Sequence, residues 1–563
     1  MSIIGADRLL AEGRAAVGQV GRSRFSTARG VHSEYEYKVR CADEGHVMYH
    51  AHIGLNTWSA TATALDEVTG ALASGGYRLD RFGLCLDRGM GLPPERRAGV
   101  PKETGPRLAD GDWEAVAQCA DSQPHLGDFM IGTEASLENT LRALGAGITT
   151  IGNLGQFFSF DTPGGGDGDT VTAATVRALG AMSAARDSGA VVHSYLDDGL
   201  AMQFDNYGNY LAWAALESYL IETLAGARLG HCYGGLVPQP VARAFIGLTL
   251  KLLHGEGSVG TMVYGNTVDY TRDNTHNAAV MSNYLLVDIA TQLRCPTGHA
   301  VLPVPLTENA RIPSAADIIE VQLLAREIER EARRSGALFD WTTLESQAAG
   351  AAQYAVSTSR RMLEILDEDG VQTGDLAAVL GALRGMDIPA FERRLRTTPP
   401  EGFARLQPWK AESTRALLTD VLSGADLSLA GERIVLATMD VHDLARDVLR
   451  SALVQLGAEV VLLPADSLPA AVASAAVAED AATVIVSTYN GTALTHGRSL
   501  MSALTARDYD GIVIMGGILN EDCGDDLPID VTDQLKALGI LCPARLDDVA
   551  PLIAQNSRDF AGI

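Results

Sequence analysis

The chemistry this sequence can offer is concentrated in a few short spacings. Asp440-Val441-His442-Asp443-Leu444-Ala445 sets a carboxylate two residues before a histidine. A histidine that binds a metal through one ring nitrogen usually donates its other N–H to a carboxylate, which sets the tautomer and raises basicity. Asp440 stands where it can do this for His442; the plainer alternative is a loop histidine capped by its neighbour. After Ala445 come 41 residues and then Ser487-Thr488-Tyr489, and 26 residues further on Gly516-Gly517. A serine hydroxyl can hold a ligand, and paired glycines let one approach the backbone without a Cβ in the way. Far upstream, His50 and His52 lie two residues apart, either side of Ala51, and so face one side of a strand. Turned inward at a barrel mouth they would be substrate ligands or proton carriers; the alternative is that packing or water satisfies them. Tyr233 and the pair Asp197-Asp198 fall near other predicted strand ends, where a solvated loop explains them equally well.

These residues need parallel strands to hold them. Beyond residue 430, apolar runs rich in Val and Ile alternate with helical patterns: RIVLATM (433–439), AEVVLLP (458–464), TVIVST (483–488), GIVIMGG (511–517) and GILCPA (539–544). Five strands with four crossovers predict a small doubly wound, flavodoxin-like (Rossmann-like) domain over 429–563, with ligands bound at the carboxyl ends of its strands. Between 46 and 345, eight strand-like runs (HVMYHAHIGL, RFGLCLD, DFMIGT, GITTIGN, AVVHSY, ARLGHCY, SVGTMVYG and HAVLPVP) predict a (β/α)8 TIM-type barrel. Residues 1–45 read as an N-terminal arm and 346–428 as a helical segment and linker. A chain of 563 residues exceeds the ~250–300 at which one core stops growing, so an α/β protein of several domains is expected.

Composition narrows the function classes. A net charge of -26 repels phosphate backbones, which argues against a nucleic-acid partner. No apolar run reaches the ~18 residues of a membrane span, and the first residues lack the basic flank and apolar stretch of a signal peptide, so a cytoplasmic protein without a membrane partner is expected. The seven cysteines are scattered without a CxxC pair, so neither a disulfide framework nor a zinc cluster is indicated. What remains is a small-molecule substrate.

The pattern at Asp440, His442, Ala445, Ser487, Tyr489, Gly516 and Gly517 resembles the cobalamin-binding signature DxHxxG, SxL, GG. Both gaps fit, and it departs at Ala445 for Gly and Tyr489 for Leu. The resemblance implies cobalamin bound base-off and His-on: His442 replaces the dimethylbenzimidazole below cobalt, Ser487 bonds the displaced nucleotide tail, and Gly516 and Gly517 admit it. Ala445 and Tyr489 would narrow that slot.

Three barrel-side stretches resemble the large subunit of adenosylcobalamin-dependent glutamate mutase (methylaspartate mutase): IGTEASLENTLRALGAGITTIGN (131–153), PLTENARIPSAADIIEVQLLAREI (305–328) and TGDLAAVLGALRGMDIPAFERR (373–394), with a weaker likeness over 50–72. The chain reads as that family's large and small subunits fused. This implies a radical isomerase, a carbon-skeleton mutase, that assembles as a homodimer because the family's barrels pair. Glu308 falls on the glutamate that contacts the adenosyl ribose, while the companion lysine is Val304. The three arginines that grip two carboxylates fall on His52, Gly91 and Met130, with Arg88 nearby. A neighbouring histidine becomes Ile131, the amine-binding glutamate falls near Gly152, and two tyrosines fall near Phe158 and Thr162. The expected substrate is therefore a small polar metabolite other than glutamate. His50, His52, Arg88, Met130, Ile131 and Phe158 are expected to line it, and Glu308, His52 and Arg88 to serve the reaction. Two other classes fit the cobalamin signature: a corrinoid-dependent methyltransferase, against which stands the lack of a zinc-thiolate cluster, and a non-catalytic cobalamin-binding sensor, for which a barrel would be superfluous.

Overall fold

A computed structural model describes residues 5–100, 102, 105–162, 164–255, 257–423, 427–440, 442–489, 491–523 and 526–560. The chain divides into two compact units, 1–409 and 410–563.

The first unit is built on a curled six-stranded parallel sheet in sequence order: β1 (His50–Ile53), β2 (Arg81–Leu84), β3 (Gln123–Leu126), β4 (Thr150–Gly152), β5 (Val191–Tyr195) and β6 (Leu229–Cys232). A separate parallel pair, β7 (Met262–Val263) and β8 (Ala300–Val301), meets both edges through single bridges, Tyr233 to Val263 and Tyr49 to Val301. Outward residues such as Phe82, Leu84, Leu126, Ile151 and Val192 are buried in one apolar core beneath the helices. The inner face is polar instead. Register aligns His50 with Arg81 and Gln123, and His52 with Gly83 and His125.

The third strand is not where the apolar pattern predicts it. DFMIGT (128–133) forms bends, with Phe129 at φ 56° and Gly132 at φ 92°, and the strand is the preceding Gln-Pro-His-Leu. Proline argues against an interior strand because it lacks an N–H, and here Pro124 sits in one nonetheless.

Residues 6–44 form three helices. The last, Glu34–Glu44, is capped by the Ser33 hydroxyl on the Glu36 amide and stopped by Gly45 in the left-handed region. It carries Glu34 and Lys38 to the amino-terminal end of the strands. There the Arg81 guanidinium pairs with Glu34 at 2.8 Å, and Lys38 Nζ donates to the carbonyls of Thr261 (2.8 Å) and Gly298 (2.6 Å). Of the helices downstream of 340, Trp341–Glu368, Leu376–Leu383 and Ile388–Leu395 complete this unit, whereas Trp409–Leu422 packs its Val421 against Val448 and Ala452 of the second.

The second unit holds a four-stranded parallel sheet of β9 (Arg433–Thr438), β10 (Glu459–Leu462), β11 (Thr483–Thr488) and β12 (Ile512–Gly517), in the order β10-β9-β11-β12. The expected fifth strand, 539–544, is reduced to a bridge between Leu541 and Ile514, and Pro543 denies it a further donor. An antiparallel hairpin, β13 (Asn520–Cys523) with β14 (Asp526–Asp530), follows β12 and was not legible in the apolar pattern. Among the described residues, no helix is long and apolar enough to cross a membrane.

Candidate functional site

In the second unit, the carboxyl ends of β9 and β11 meet beside the crossover to β10, the crevice where open parallel sheets take ligands. Asp440 is buried there. One carboxylate oxygen accepts the His442 backbone N–H at 2.8 Å and lies 3.1 Å from His442 Nδ1; the other accepts the Tyr489 amide. Burial pushes this carboxyl up, but the donors from His442 and Tyr489 outweigh it and hold the group below the ordinary aspartate range. The His442 side chain is 51% exposed. With Nδ1–H assigned to Asp440, Nε2 keeps its lone pair and has no hydrogen bond among the described residues. The Tyr489 ring lies 5.3 Å from the imidazole at a 36° tilt. Val441 lies outside the described residues. Behind the pair, Lys410 bonds Asp443 at 2.7 Å and Arg446 bonds Asp447 at 2.8 Å, anchoring the helix on which half-buried Ala445 sits.

Ser487 and Thr488 end β11 in register with Gly516 and Gly517 of β12. Both hydroxyls are buried, and neither has a hydrogen-bond partner among the described residues. Orphaned buried hydroxyls are costly unless something satisfies them. The two glycines differ. A Cβ on Gly516 would meet open space, whereas Gly517 has φ 103° and a Cβ there would stand 2.1 Å from the Thr488 carbonyl oxygen. Gly517→Ala is therefore expected to destabilise the second unit by at least ~1–3 kcal/mol from backbone strain alone, and Gly516→Ala by well under ~1 kcal/mol. Urea unfolding of the two variants checks this, and equal losses would contradict it. Asp440, His442, Ser487, Tyr489, Gly516 and Gly517 thus gather at one sheet end, with Ala445 on the adjoining helix.

In the first unit, the strand ends form a polar mouth. His50 Nε2 and His52 Nδ1 lie 3.4 Å apart, and neighbouring imidazoles continue inward: His50 to His125 at 5.9 Å between ring centroids, His125 to His193 at 4.6 Å. Glycines make this row fit: a Cβ at Gly83 would stand 2.8 Å from both His50 Nε2 and His52 Nδ1, and one at Gly152 2.7 Å from the His193 Cβ. Burial, reinforced by the Arg81 charge, drives His52 down to about 4 and His50, His125 and His193 well below the ordinary value, so all are neutral. Among the described residues no three His, Cys, Asp or Glu side chains are arranged to hold a metal ion.

Cys85, Asp128, Asn153, Asp198 and Tyr264 each lie within three residues beyond a strand, Tyr195 ends β5, and Glu308 stands on the loop that follows β8. Tyr195 and Tyr264 stack at 5.5 Å and 18°, and His52 lies 6.0 Å from the Tyr264 ring. Gln156 donates to Asp128 at 3.1 Å, and Asn153 to Asp198 at 2.9 Å. Glu308 is solvent-accessible, yet the surrounding protein pushes its carboxyl up to about 7; burial likewise raises Asp128 to about 6 against the Gln156 hydrogen bond. Both charges act on the Cys85 thiol and the Tyr264 hydroxyl, which are pushed up by burial first and then by these neighbours.

The remaining expected residues sit elsewhere. Met130, Ile131 and Phe158 are buried in the apolar core, Phe158 edge-on to Trp213 at 5.2 Å. Arg88 is buried in the turn after β2. Val304 is buried beside Tyr270. Asp197 is a clamp, accepting from the Tyr210 hydroxyl and the amides of Gly234 and Leu236, and Tyr233 packs against His299. Sequence reading missed Cys85, His125, Asp128, His193, Tyr195 and Tyr264. The available signal was position: each lies on, or within two residues of, the carboxyl end of a parallel strand.

No protein-family model and no curated protein matches the chain. Among solved structures, it shows 16% identity and a TM-score of 0.19 to a novel cobalamin-binding protein from Desulfitobacterium hafniense DCB-2, over 51% of this chain and 98% of that one. A TM-score that low does not establish a shared fold.

Proposed function

We propose that the second unit binds cobalamin base-off with His442 as the lower cobalt ligand, and that the first unit is the catalytic barrel of an adenosylcobalamin-dependent radical isomerase. The reaction is of the carbon-skeleton mutase type, on a small polar metabolite other than glutamate. The observation that carries this reading is His442: an exposed imidazole whose Nδ1 is tied to a buried carboxylate and whose Nε2 is left to a ligand. The orphaned Ser487 and Thr488 hydroxyls and the open space at Gly516 fit a polar nucleotide tail entering beside β11. The strand order β10-β9-β11-β12, continued by the Leu541 bridge, supports a flavodoxin-like arrangement, and the two bridges flanking β7 and β8 support a closed (β/α)8 barrel.

Adenosylcobalamin, held by His442 with Ser487, Thr488 and Gly516 beside it, would supply radical chemistry. This chain's residues do the rest. Asp440 holds the His442 tautomer, the neutral imidazoles of the first unit offer donors and acceptors without charge, and the carboxylates of the mouth do not accommodate a diacid. Titrating the apo-protein with adenosylcobalamin and following the visible spectrum tests the binding. Uptake with loss of the benzimidazole-on bands is expected, and Asp440→Asn should weaken it by roughly 10- to 100-fold. Absence of uptake would end this reading.

A further inference from the structure

The turn that carries His442 is tied down on both sides, and Asp440 supplies only one of the ties. Before His442 the chain is fixed to the sheet: the Met439 amide donates to the Ser487 carbonyl at 2.9 Å, and the Asp440 carbonyl accepts the Asp466 amide at 2.9 Å. After His442 comes Asp443, the N-cap residue of the helix Leu444–Gln455. An aspartate there ordinarily turns its carboxylate back onto an amide of the first turn, which is why that residue type is favoured at the position. Asp443 makes no such bond. Its carboxylate is taken instead by Lys410, 33 residues upstream, with Nζ 2.7 Å from Oδ1, while Arg446 stands 3.7 Å from Oδ2.

Lys410 departs from a local preference as well. It is the second residue of the helix Trp409–Leu422, where the positive end of the helix dipole disfavours a cation. The lysine side chain is 14% exposed and that of Asp443 23%, so the pair is shielded from the water that makes exposed ion pairs weak. Towards the other end of the same helix, Val421 packs against Val448 and Ala452 of the helix Leu444–Gln455. The first helix therefore grips the second at two points, and one of them is the residue next to His442. Where two residues each give up a local preference in order to meet, a function beyond helix stability is the expected reason.

Resting on the reading of His442 as the cobalt ligand, we propose that Lys410 is a positioning residue for it. By holding the Asp443 carboxylate, Lys410 fixes the far side of the turn, which keeps His442 Nδ1 on Asp440 and leaves Nε2 for the metal. The Nδ1 to Asp440 distance of 3.1 Å is already near the long end of the hydrogen-bond range, so a small relaxation of the turn breaks it. Without the lysine, Asp443 is free to cap its own helix, and the turn relaxes with it. Lys410 is also the first residue of the second unit, so the cobalt ligand is held by the segment through which the chain enters that unit.

The test follows His442 in the full chain by two readouts. In apo-protein with nitrogen-15 histidine, held above the ordinary histidine range, the ring signals of His442 are identified by their loss in His442→Ala. The unaltered chain should show one N–H nitrogen and one bare nitrogen, far apart in shift; in Lys410→Met the two should move toward each other as the tautomers mix, and Lys410→Arg should restore them. In the adenosylcobalamin titration, Lys410→Met should weaken uptake by about tenfold, the low end of what losing an outer partner costs a metal site. Asp443→Asn should do the same, and the two together should cost no more than either alone, because they remove one interaction. A lysine that only stabilises the fold would lower the urea midpoint and leave the ring signals in place. Unmoved signals in Lys410→Met, no rescue by arginine, or losses that add in the double variant would overturn the proposal. Should Lys410→Met fail to fold, Asp443→Asn read by the same signals decides. If the unaltered protein takes up no cobalamin, the cobalt reading falls, while the ring signals still report whether Lys410 holds the turn.

Discussion

His442→Ala removes the histidine coupling from the cobalt(II) EPR spectrum of the cobalamin-loaded protein. In the unaltered chain, labelling histidine with nitrogen-15 changes the superhyperfine splitting, because the nitrogen on the lower face of cobalt is then Nε2 of His442. In the alanine variant the label changes nothing. The loss in cobalamin affinity exceeds the roughly 10- to 100-fold expected of Asp440→Asn, since the ligand itself is deleted rather than its orienting partner. Ser487→Ala separates the roles: it removes a buried hydroxyl without a partner among the described residues, so it weakens uptake while the histidine coupling persists. Retained benzimidazole coupling in the unaltered protein would refute His442 as the ligand, whatever the affinity.

Acid unfolds the first unit from just below the ordinary histidine range. His50, His52, His125, His193, His254 and His299 are all depressed, first by burial and then by neighbouring positive groups, with His52 near 4 and His299 near 3. The folded values lie below the unfolded value of ~6.5, so the unfolded chain takes up protons first as pH falls. The stability of the neutral state is present above ~6.5 and is lost below it, at up to about 1.4 kcal/mol per pH unit for each histidine that stays neutral in the fold. Asp128 and Glu308, raised to about 6 and about 7, act in the opposite sense over their own range, as do the buried Asp197 and Asp288. A difference measurement isolates the histidines. Urea unfolding between about pH 7 and about pH 5 should show a flatter decline for His50→Gln combined with His125→Gln than for the unaltered chain, by about 2 kcal/mol per pH unit averaged over that window. Parallel declines would mean that these imidazoles gain protons inside the fold.

The buried base of the curled sheet explains why protonation there is unfavourable. Arg81 already places a positive charge under the histidine row, and Glu34 balances it at 2.8 Å with Lys38 at 3.6 Å from the same carboxylate.

Local pattern was enough for the elements whose meaning is local. The Asp440–His442 hydrogen bond spans two residues, and apolar runs rich in Val and Ile mark β9, β11 and β12, so the sheet end carrying Ser487, Gly516 and Gly517 could be read before any fold was known. The common orientation of His50 and His52 follows in the same way, from the two-residue period of a strand. Other elements failed for local reasons as well: Pro124 disguised β3, and the expected strand at 539–544 has too few donors to extend beyond one bridge. What only the tertiary structure decided is which distant strands are neighbours and in what register. His50, His125 and His193 come from strands more than sixty residues apart in sequence and face one another because β1 through β5 lie side by side with Gly83 and Gly152 making room. The same curling of the sheet brings Cys85, Asp128, Tyr264 and Glu308 to one mouth, and it sends Met130, Ile131 and Phe158 into the core instead. Side-chain periodicity reports the face of a single element; the charge and company of a site depend on long-range packing, which no local spacing encodes.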